Sequence, residues 1–155
     1  MINYLVMDVD GTLTDGKIYM GASGESMKAF NIKDGYGIHD ILPINGIIPI
    51  IITGRTSKIV LNRCKELGIT EIHQGVTDKV TTLKTLVDDL SCVAYIGDDL
   101  NDIACMNEVK NAGGVLGCPA DAVDEVTKCV DFKSLHNGGD GAVRDFIEWL
   151  ISNNY

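Results

Sequence analysis

Five carboxylates, one hydroxyl and one ammonium occupy four short segments of the chain, and together they could bind a phosphate group. They are Asp8, Asp10, Thr53, Lys79, Asp98, Asp99 and Asp102. Three of the four segments directly follow an apolar, β-branched run that is typical of a buried strand. Ligands of open α/β sheets bind beyond the carboxyl ends of the strands. The sequence therefore predicts that these side chains meet at one edge of a sheet.

A divalent cation is the simplest way to balance the charge of such a site. Carboxylates that lie close together cannot all stay ionised without a counter-charge, and Lys79 supplies only one. Oxygen ligands without histidine or cysteine favour Mg²⁺ over zinc. The same cation would attract a phosphate group into an otherwise acidic site. We therefore expect Mg²⁺ as the cofactor.

The composition is typical of a single globular domain spanning residues 1–155, with 45% apolar and 23% charged residues. Thirteen basic and 22 acidic residues give a net charge of −9. This balance argues against nucleic acid or anionic membranes as partners, because binding to them depends on Lys and Arg neutralising phosphates. The five cysteines form no C-x-x-C pair, and no signal-peptide pattern is present. We expect a cytoplasmic protein.

Short β-rich runs alternate with helical patterns, which predicts βα units around a parallel sheet. Buried strands are expected over 4–9, 46–53 and 91–96, with Pro49 as an unexplained interruption of the second. Shorter strands are expected over 113–115 and 129–132. The predicted fold class is α/β: a doubly wound, mostly parallel, Rossmann-like sheet.

Four helical patterns accompany these strands. The first is expected to begin at Asp34 as its N-cap and to end near Leu42. The second runs to Leu67 behind a cap at Thr56 or Ser57. The other two are apolar stripes between 78 and 90 and between 143 and 151, which we interpret as core faces.

Residues 16–30 break this alternation. Two short strands around a Gly/Ser turn predict a β-hairpin directly after the first strand. An isolated two-stranded ribbon is only marginally stable in water. We therefore expect another subunit to cover it.

The chemical motifs, in their order along the chain, resemble the haloacid dehalogenase superfamily of phosphohydrolases. They are D-x-D-G-T-L-T at 8–14, I-T-G at 52–54, Lys79 and G-D-D at 97–99. Further stretches are similar to the 3-deoxy-D-manno-octulosonate 8-phosphate phosphatases, among them F-N-I-K-D-G-Y-G at 30–37 and G-G-D-G-A-V-R at 138–144. This second similarity runs over essentially the whole chain. It implies a phosphoric monoester hydrolase acting on a phosphorylated keto sugar acid, with lipopolysaccharide synthesis as one pathway.

The resemblance also implies roles for individual residues. Asp8 would attack phosphorus and form an aspartyl-phosphate, and Asp10 would act as general acid and then as general base. Mg²⁺ would be held by Asp8, the Asp10 carbonyl and Asp98, with Asp99 acting directly or through water.

The remaining predicted roles concern the phosphoryl group and the sugar. Thr53 and Lys79 would bind the phosphoryl oxygens, and Asp102 would orient Lys79 or a metal-bound water. The candidates for contacts to the sugar acid are three basic residues: Arg55, Lys33 and Arg63.

Members of this superfamily usually shield the site with a cap domain inserted after the first or second motif. Neither the interval from Asp10 to Thr53 nor that from Thr53 to Lys79 is long enough to hold one. We therefore expect a capless fold in which neighbouring subunits cover the site. The relatives form tetramers of this kind, which implies a homotetramer with residues 138–144 near a neighbouring site.

Several alternatives remain open at this point. Asp140 occupies a position that is often basic in phosphatases of the eight-carbon substrate, which keeps nine-carbon keto sugar acid 9-phosphates as candidates. The same subfamily includes modules of acylneuraminate cytidylyltransferases, so a non-catalytic oligomerisation module is a further alternative. A receiver-type signalling domain uses similar residues in a different order. In receivers the acidic pair comes first and the lone phosphorylated aspartate comes next, whereas here D-x-D comes first and G-D-D follows Lys79.

Overall fold

The computed structural model describes all 155 residues, and its centre is a six-stranded, wholly parallel sheet. The chain forms eight strands: β1 (Tyr4–Met7), β2 (Tyr19–Gly21), β3 (Gly24–Met27), β4 (Ile48–Ile52), β5 (Glu71–His73), β6 (Val93–Ile96), β7 (Val115–Cys118) and β8 (Phe132–Lys133). The order in the sheet is β5-β4-β1-β6-β7-β8, whereas β2 and β3 pair only with each other. Strand β1 therefore lies in the interior, with its carboxyl end between those of β4 and β6.

Helices cover both faces of the sheet. They are α1 (Ile32–Tyr36), α2 (Leu42–Ile44), α3 (Lys58–Glu66), α4 (Lys79–Leu86), α5 (Leu100–Ala112), α6 (Asp124–Thr127) and α7 (Ala142–Ser152). Leu5 and Met7 of β1 pack into a core shared with α2, α3 and α7, while Val6 packs into a core shared with α4, α5 and α6. This arrangement confirms the predicted doubly wound α/β fold. No helix combines the length and the apolar surface needed to cross a bilayer.

The first helical segment differs from the prediction at its start and at its end. Helix α1 is capped by Asn31, whose side chain accepts a hydrogen bond from the Lys33 backbone N–H, and not by Asp34. Asp34 is buried inside α1. The helical path then passes through a π-helical turn (Gly37–Ile41) and reaches Ile44. The wider turn accommodates the following proline, whose ring collides with the carbonyl four residues back in a regular α-helix.

Pro49 fits inside β4 because one edge of this strand is unpaired at the proline. It pairs with Leu5 of β1. Strand β5 pairs with β4 only from Ile50 onwards. The Ile48 N–H donates to the Asn3 carbonyl on the β1 side, so the nitrogen of the next residue, Pro49, faces the unpaired side. The missing N–H of the proline therefore costs no hydrogen bond in the sheet.

The hairpin of β2 and β3 is confirmed as an antiparallel ribbon. A single bridge between Thr14 and Phe30 closes its base. Its apolar side chains are largely exposed: Ile18 by 53%, Met20 by 65% and Met27 by 52%. No cap domain follows β1 or β4, as predicted.

Two features of the second half were predicted poorly. Helix α5 was not predicted at all. The strands expected over 113–115 and 129–132 begin later, at Val115 and Phe132. Gly113 is the C-cap of α5, with a φ of +95°. The end of the helix therefore occupies the first residues of the segment in which a strand was expected.

Candidate active site

Four predicted site residues meet at the carboxyl edge of the sheet. Asp8 follows β1, Thr53 follows β4 and Asp98 follows β6, while Lys79 opens α4. Asp8, Thr53 and Lys79 are all buried. The short, apolar strands leave no choice of register, since a shift by one residue would turn the core side chains toward the opposite face.

Lys79 joins two acids in the centre of this edge. Its Nζ lies 2.7 Å from Asp8 Oδ1 and 2.8 Å from Asp102 Oδ1. Burial acts to lower the pKa of Lys79, but the charges of the two carboxylates and their hydrogen bonds outweigh it and raise the pKa. The ammonium is therefore charged and held between two fixed partners.

Asp102 orients Lys79, and both of its carboxylate oxygens accept two hydrogen bonds each. Besides Lys79, Oδ1 accepts a hydrogen bond from the Tyr95 hydroxyl at 2.8 Å. Oδ2 accepts from the backbone N–H groups of Asp98 (3.0 Å) and Asp99 (3.3 Å). A carboxylate with four donors has no free lone pair for a cation. The geometry therefore supports a positioning role for Asp102.

Asp8 and Asp98 fit the requirements of a metal site. Their oxygens, with one of Asp102, lie within 4.8 Å of one another. Burial and the charge of Asp102 raise the pKa of Asp8 to about 6, and burial and the charge of Asp8 raise the pKa of Asp98 to about 7. A bound cation would stabilise the ionised form of both carboxyl groups and so offset these effects. The all-oxygen set fits Mg²⁺.

The loop after β1 approaches this pair closely. The Thr12 hydroxyl donates to Asp98 Oδ1 at 3.1 Å. Gly11 has a φ of +91°, and a Cβ there would lie 2.1 Å from Asp98 Oδ2. Only glycine allows the backbone to turn this close to the acid.

The loop is supported from behind by the C-terminal glycine motif. The Gly139 N–H donates to the Thr12 carbonyl at 3.1 Å. A Cβ on Gly138 would lie 1.9 Å from the Gly11 carbonyl oxygen. The motif therefore packs on the loop after β1 of the same chain, and Asp140 beside it is exposed.

An open cavity of about 180 Å³ lies above the acids. Its lining residues are Asp8, Asp10, Thr53, Gly54, Arg55, Asp99 and Asn101. Asn101 was not singled out in the sequence, although it lies two residues after the G-D-D motif. Asp99 is the N-cap of α5 and accepts from the Leu100 N–H at 2.7 Å.

Asp10 lines the cavity and has partners that were not expected from the sequence. Its Oδ1 contacts the Lys28 ammonium, and its Oδ2 lies 4.0 Å from Arg55 Nε. Lys28 in turn lies 2.9 Å from Glu25 of the hairpin. No motif marks Lys28 or Glu25, because their partners are brought in by the hairpin fold.

Lys33 and Arg63 do not line this cavity. Arg63 pairs with Glu66 at 2.9 Å, and its guanidinium lies 5.9 Å from the centre of the Phe30 ring. Lys33 is exposed on α1 and lines a separate cleft that also contains Asp140. Neither residue reaches the Asp8 site of its own chain.

A parallel sheet that brings an aspartate pair, a threonine, a lysine and a G-D-D motif to one carboxyl edge defines a hydrolase of the haloacid dehalogenase superfamily. The structure is similar to a subfamily III A hydrolase of this superfamily from Legionella pneumophila, at 34% identity over 99% of this chain and 84% of that one, with a TM-score of 0.87. No family model matches the chain. The chain belongs to the family of 3-deoxy-D-manno-octulosonate 8-phosphate phosphatases, as two further relatives show.

The first is the phosphatase KdsC of Escherichia coli (strain K12), which is 43% identical over 154 residues, or 97% of this chain and 79% of that protein. The second is the 3-deoxy-D-manno-octulosonate 8-phosphate phosphatase of Moraxella catarrhalis, whose crystal structure contains magnesium, phosphate and the sugar acid KDO (3-deoxy-D-manno-octulosonate). It is 40% identical, covers 99% of this chain and 88% of that one, and gives a TM-score of 0.89.

Proposed function

We propose that this chain hydrolyses 3-deoxy-D-manno-octulosonate 8-phosphate to the free sugar acid and phosphate, with Mg²⁺ as cofactor. The observation that carries the proposal is the buried Lys79 ammonium between Asp8 and Asp102, in a chain of this phosphatase family. Mg²⁺, when bound by Asp8, Asp98 and the Asp10 carbonyl, supplies positive charge that draws the phosphate into the acidic site.

Asp8 is the nucleophile in this proposal. Its carboxylate oxygen forms a bond to phosphorus while the bond from phosphorus to the ester oxygen breaks, and the electron pair leaves with the sugar oxygen. Asp10 gives that oxygen a proton. The resulting Asp10 carboxylate then takes a proton from water as the water oxygen forms a bond to the phosphorus of the aspartyl-phosphate. The bond from phosphorus to the Asp8 oxygen breaks, its electron pair returns to the Asp8 carboxylate, and inorganic phosphate is released.

Lys79 and Thr53 stabilise the phosphoryl group during transfer. Both are fixed beside Asp8, so they need little rearrangement when negative charge develops on the phosphoryl oxygens. Asp99 and Asn101 lie at the same cavity, where Asp99 would act on the metal directly or through water.

The carboxylate of the sugar acid needs a cationic partner, and Arg55 is the candidate within the chain. It lines the cavity, and its side chain is 49% exposed. Lys33 and Arg63 are proposed to act on substrate in the site of another subunit, because they do not line their own.

The assembly that this requires is a homotetramer, in which hairpins pack together and each subunit covers a neighbouring site. The exposed Ile18, Met20 and Met27 supply apolar surface for such packing. Closing the site against water would favour transfer from the chosen substrate. Residues 1–155 act as one domain in this proposal. The cytoplasmic location and the lack of nucleic-acid or membrane partners stay predictions.

The deciding experiment is phosphate release from a panel of phosphorylated eight- and nine-carbon keto sugar acids, with Mg²⁺ and with EDTA. We expect Mg²⁺-dependent release, fastest with the eight-carbon substrate. Faster release from a nine-carbon 9-phosphate would favour the alternative that Asp140 raised. No release from any member, or from p-nitrophenyl phosphate, would favour a non-catalytic module.

A further inference from the structure

The hairpin carries a buried cation that contacts Asp10, one of the acids that line the cavity. Lys28 directly follows β3, yet its side chain is only 1% exposed. Its ammonium contacts Asp10 Oδ1 and lies 2.9 Å from Glu25 Oε1. Burying an ammonium is costly unless it is well paired, and here two carboxylates pair with it.

Glu25 is itself fixed, so Lys28 has a firm support. The Ser57 hydroxyl donates to Glu25 Oε2 at 2.7 Å, and Arg55 Nη2 lies 3.5 Å from Glu25 Oε1. Ser57 is also the N-cap of α3. A continuous set of polar contacts therefore links the start of α3, the hairpin and Asp10.

This network leaves the two oxygens of Asp10 in different situations. Oδ1 is held by Lys28, whereas the nearest cation to Oδ2 is Arg55 at 4.0 Å. The side chain of Asp10 is 25% exposed at the cavity. Without Lys28, no other donor would fix the direction of the carboxyl group.

We propose that Lys28 is a positioning residue for Asp10: it holds one oxygen so that the other faces the ester oxygen of the substrate. The proposal rests on the proposed function, in which the proton carried by Asp10 Oδ2 passes to the ester oxygen as the bond to phosphorus breaks, while Oδ1 remains the acceptor for Lys28. A general acid acts only from the correct place. Loss of Lys28 should therefore slow the departure of a poor leaving group and should leave the departure of a good one nearly unchanged.

The test compares phenyl phosphate, a poor leaving group, with p-nitrophenyl phosphate, a good one, at saturating Mg²⁺. The measured quantity is kcat/KM, because it covers the steps up to departure of the leaving group and excludes later hydrolysis of the phosphoenzyme. The variants are Lys28→Met and Lys28→Arg. Lys17→Met is the control, since Lys17 is an exposed lysine of the same hairpin region that forms no ion pair.

For Lys28→Met we expect kcat/KM on phenyl phosphate to fall about tenfold or more, since general acids contribute roughly 10²–10⁴-fold. On p-nitrophenyl phosphate it should change by less than about twofold. Lys28→Arg should recover most of the loss, because a guanidinium can bridge two carboxylates. Lys17→Met should leave both substrates unaffected.

An equal loss on both substrates, or no loss on either, would overturn the proposal. If Lys28→Met does not fold, Glu25→Gln decides, because it weakens the support of Lys28 and should show the same selectivity to a smaller extent. A wild-type protein active on both aryl phosphates but on no sugar phosphate would contradict the proposed substrate and leave this test intact.

Discussion

The carboxylate of Asp34 caps a helix that begins over a hundred residues further along the chain. Its Oδ1 accepts a hydrogen bond from the Arg144 backbone N–H at 2.8 Å, in the first turn of α7. The residue in the N-cap position of α7 is Gly141, which has no side chain to offer. Asp34 thus satisfies a backbone donor of α7 from within α1.

Asp34→Ala should lower the free energy of unfolding by about 1–2 kcal/mol, which is typical of a lost N-cap. Asp34→Asn keeps an acceptor oxygen and should cost less. Asp88→Ala is a matched control, because Asp88 is exposed and forms no hydrogen bond through its side chain. Denaturant unfolding measures all three. Equal stability of Asp34→Ala and Asp88→Ala would contradict the capping role.

Asp8→Asn should abolish turnover while the fold is retained, because it removes the attacking oxygen. Asp10→Asn should still form some phosphoenzyme but should lose its hydrolysis. Phosphate release, together with mass spectrometry of the trapped protein, separates these outcomes. Activity of Asp8→Asn at about a tenth of wild type or more, equal to a barrier increase of no more than about 1.4 kcal/mol, would show that Asp8 is not the nucleophile.

Tyr95→Phe should lower kcat/KM about fivefold with little change in KM. The tyrosine hydroxyl is one of two donors to Asp102 Oδ1, and its loss frees Asp102 and Lys79 to move. A hydrogen bond of about 1 kcal/mol corresponds to roughly that factor in rate. Tyr4→Phe serves as the control, since Tyr4 lies at the other end of the sheet. Identical kinetics of Tyr95→Phe and wild type would rule out this positioning effect.

Without metal, Asp8 and Asp98 should make the protein less stable as the pH rises. Their pKa values in the folded state, about 6 and about 7, lie above the usual range of Asp. The folded chain therefore holds protons that the unfolded chain has lost, and the free energy of unfolding falls as the pH rises from about 4 to about 7.

Thermal melts in EDTA check this prediction. Asp98→Asn should gain stability relative to wild type between about pH 5 and about pH 7.5, whereas Asp88→Asn should not. Added Mg²⁺ should raise the melting temperature of wild type through binding to the native state. An undiminished response to Mg²⁺ in Asp98→Ala would contradict the assignment of Asp98 as a ligand.

Replacing Ile18 and Met20 with Asp should dissociate the proposed tetramer. Two buried charges would remove the apolar contact between hairpins. Activity should fall more on the sugar phosphate than on p-nitrophenyl phosphate. Ile44→Asp is the control, because Ile44 is 83% exposed and is the last residue of α2, outside the hairpin. Light scattering gives the mass, and a wild-type monomer with full activity on the sugar phosphate would defeat the proposal.

The sequence was sufficient to predict the sheet and the residues at its carboxyl edge. Apolar runs mark the buried strands, and motifs directly after them must lie at the strand ends. The sequence could not show contacts made across the fold. Asp34 has the pattern of a local cap but serves α7, and Lys28 gains its role only because the hairpin folds toward Asp10. Helix α5 escaped prediction because it lacks a clear apolar stripe.

The place of β1 in the sheet has a consequence for synthesis on the ribosome. The loop after β1 is made before the segments that hold it in place, because β1 is flanked by β4 and β6, and Gly138 and Gly139 support the loop from behind. These contacts join segments that are far apart in the chain, so the nascent protein cannot complete the surroundings of Asp8 until the glycine motif has left the exit tunnel. The site is therefore completed only after the glycine motif has been made, and a chain that stalls before this motif leaves the site unfinished.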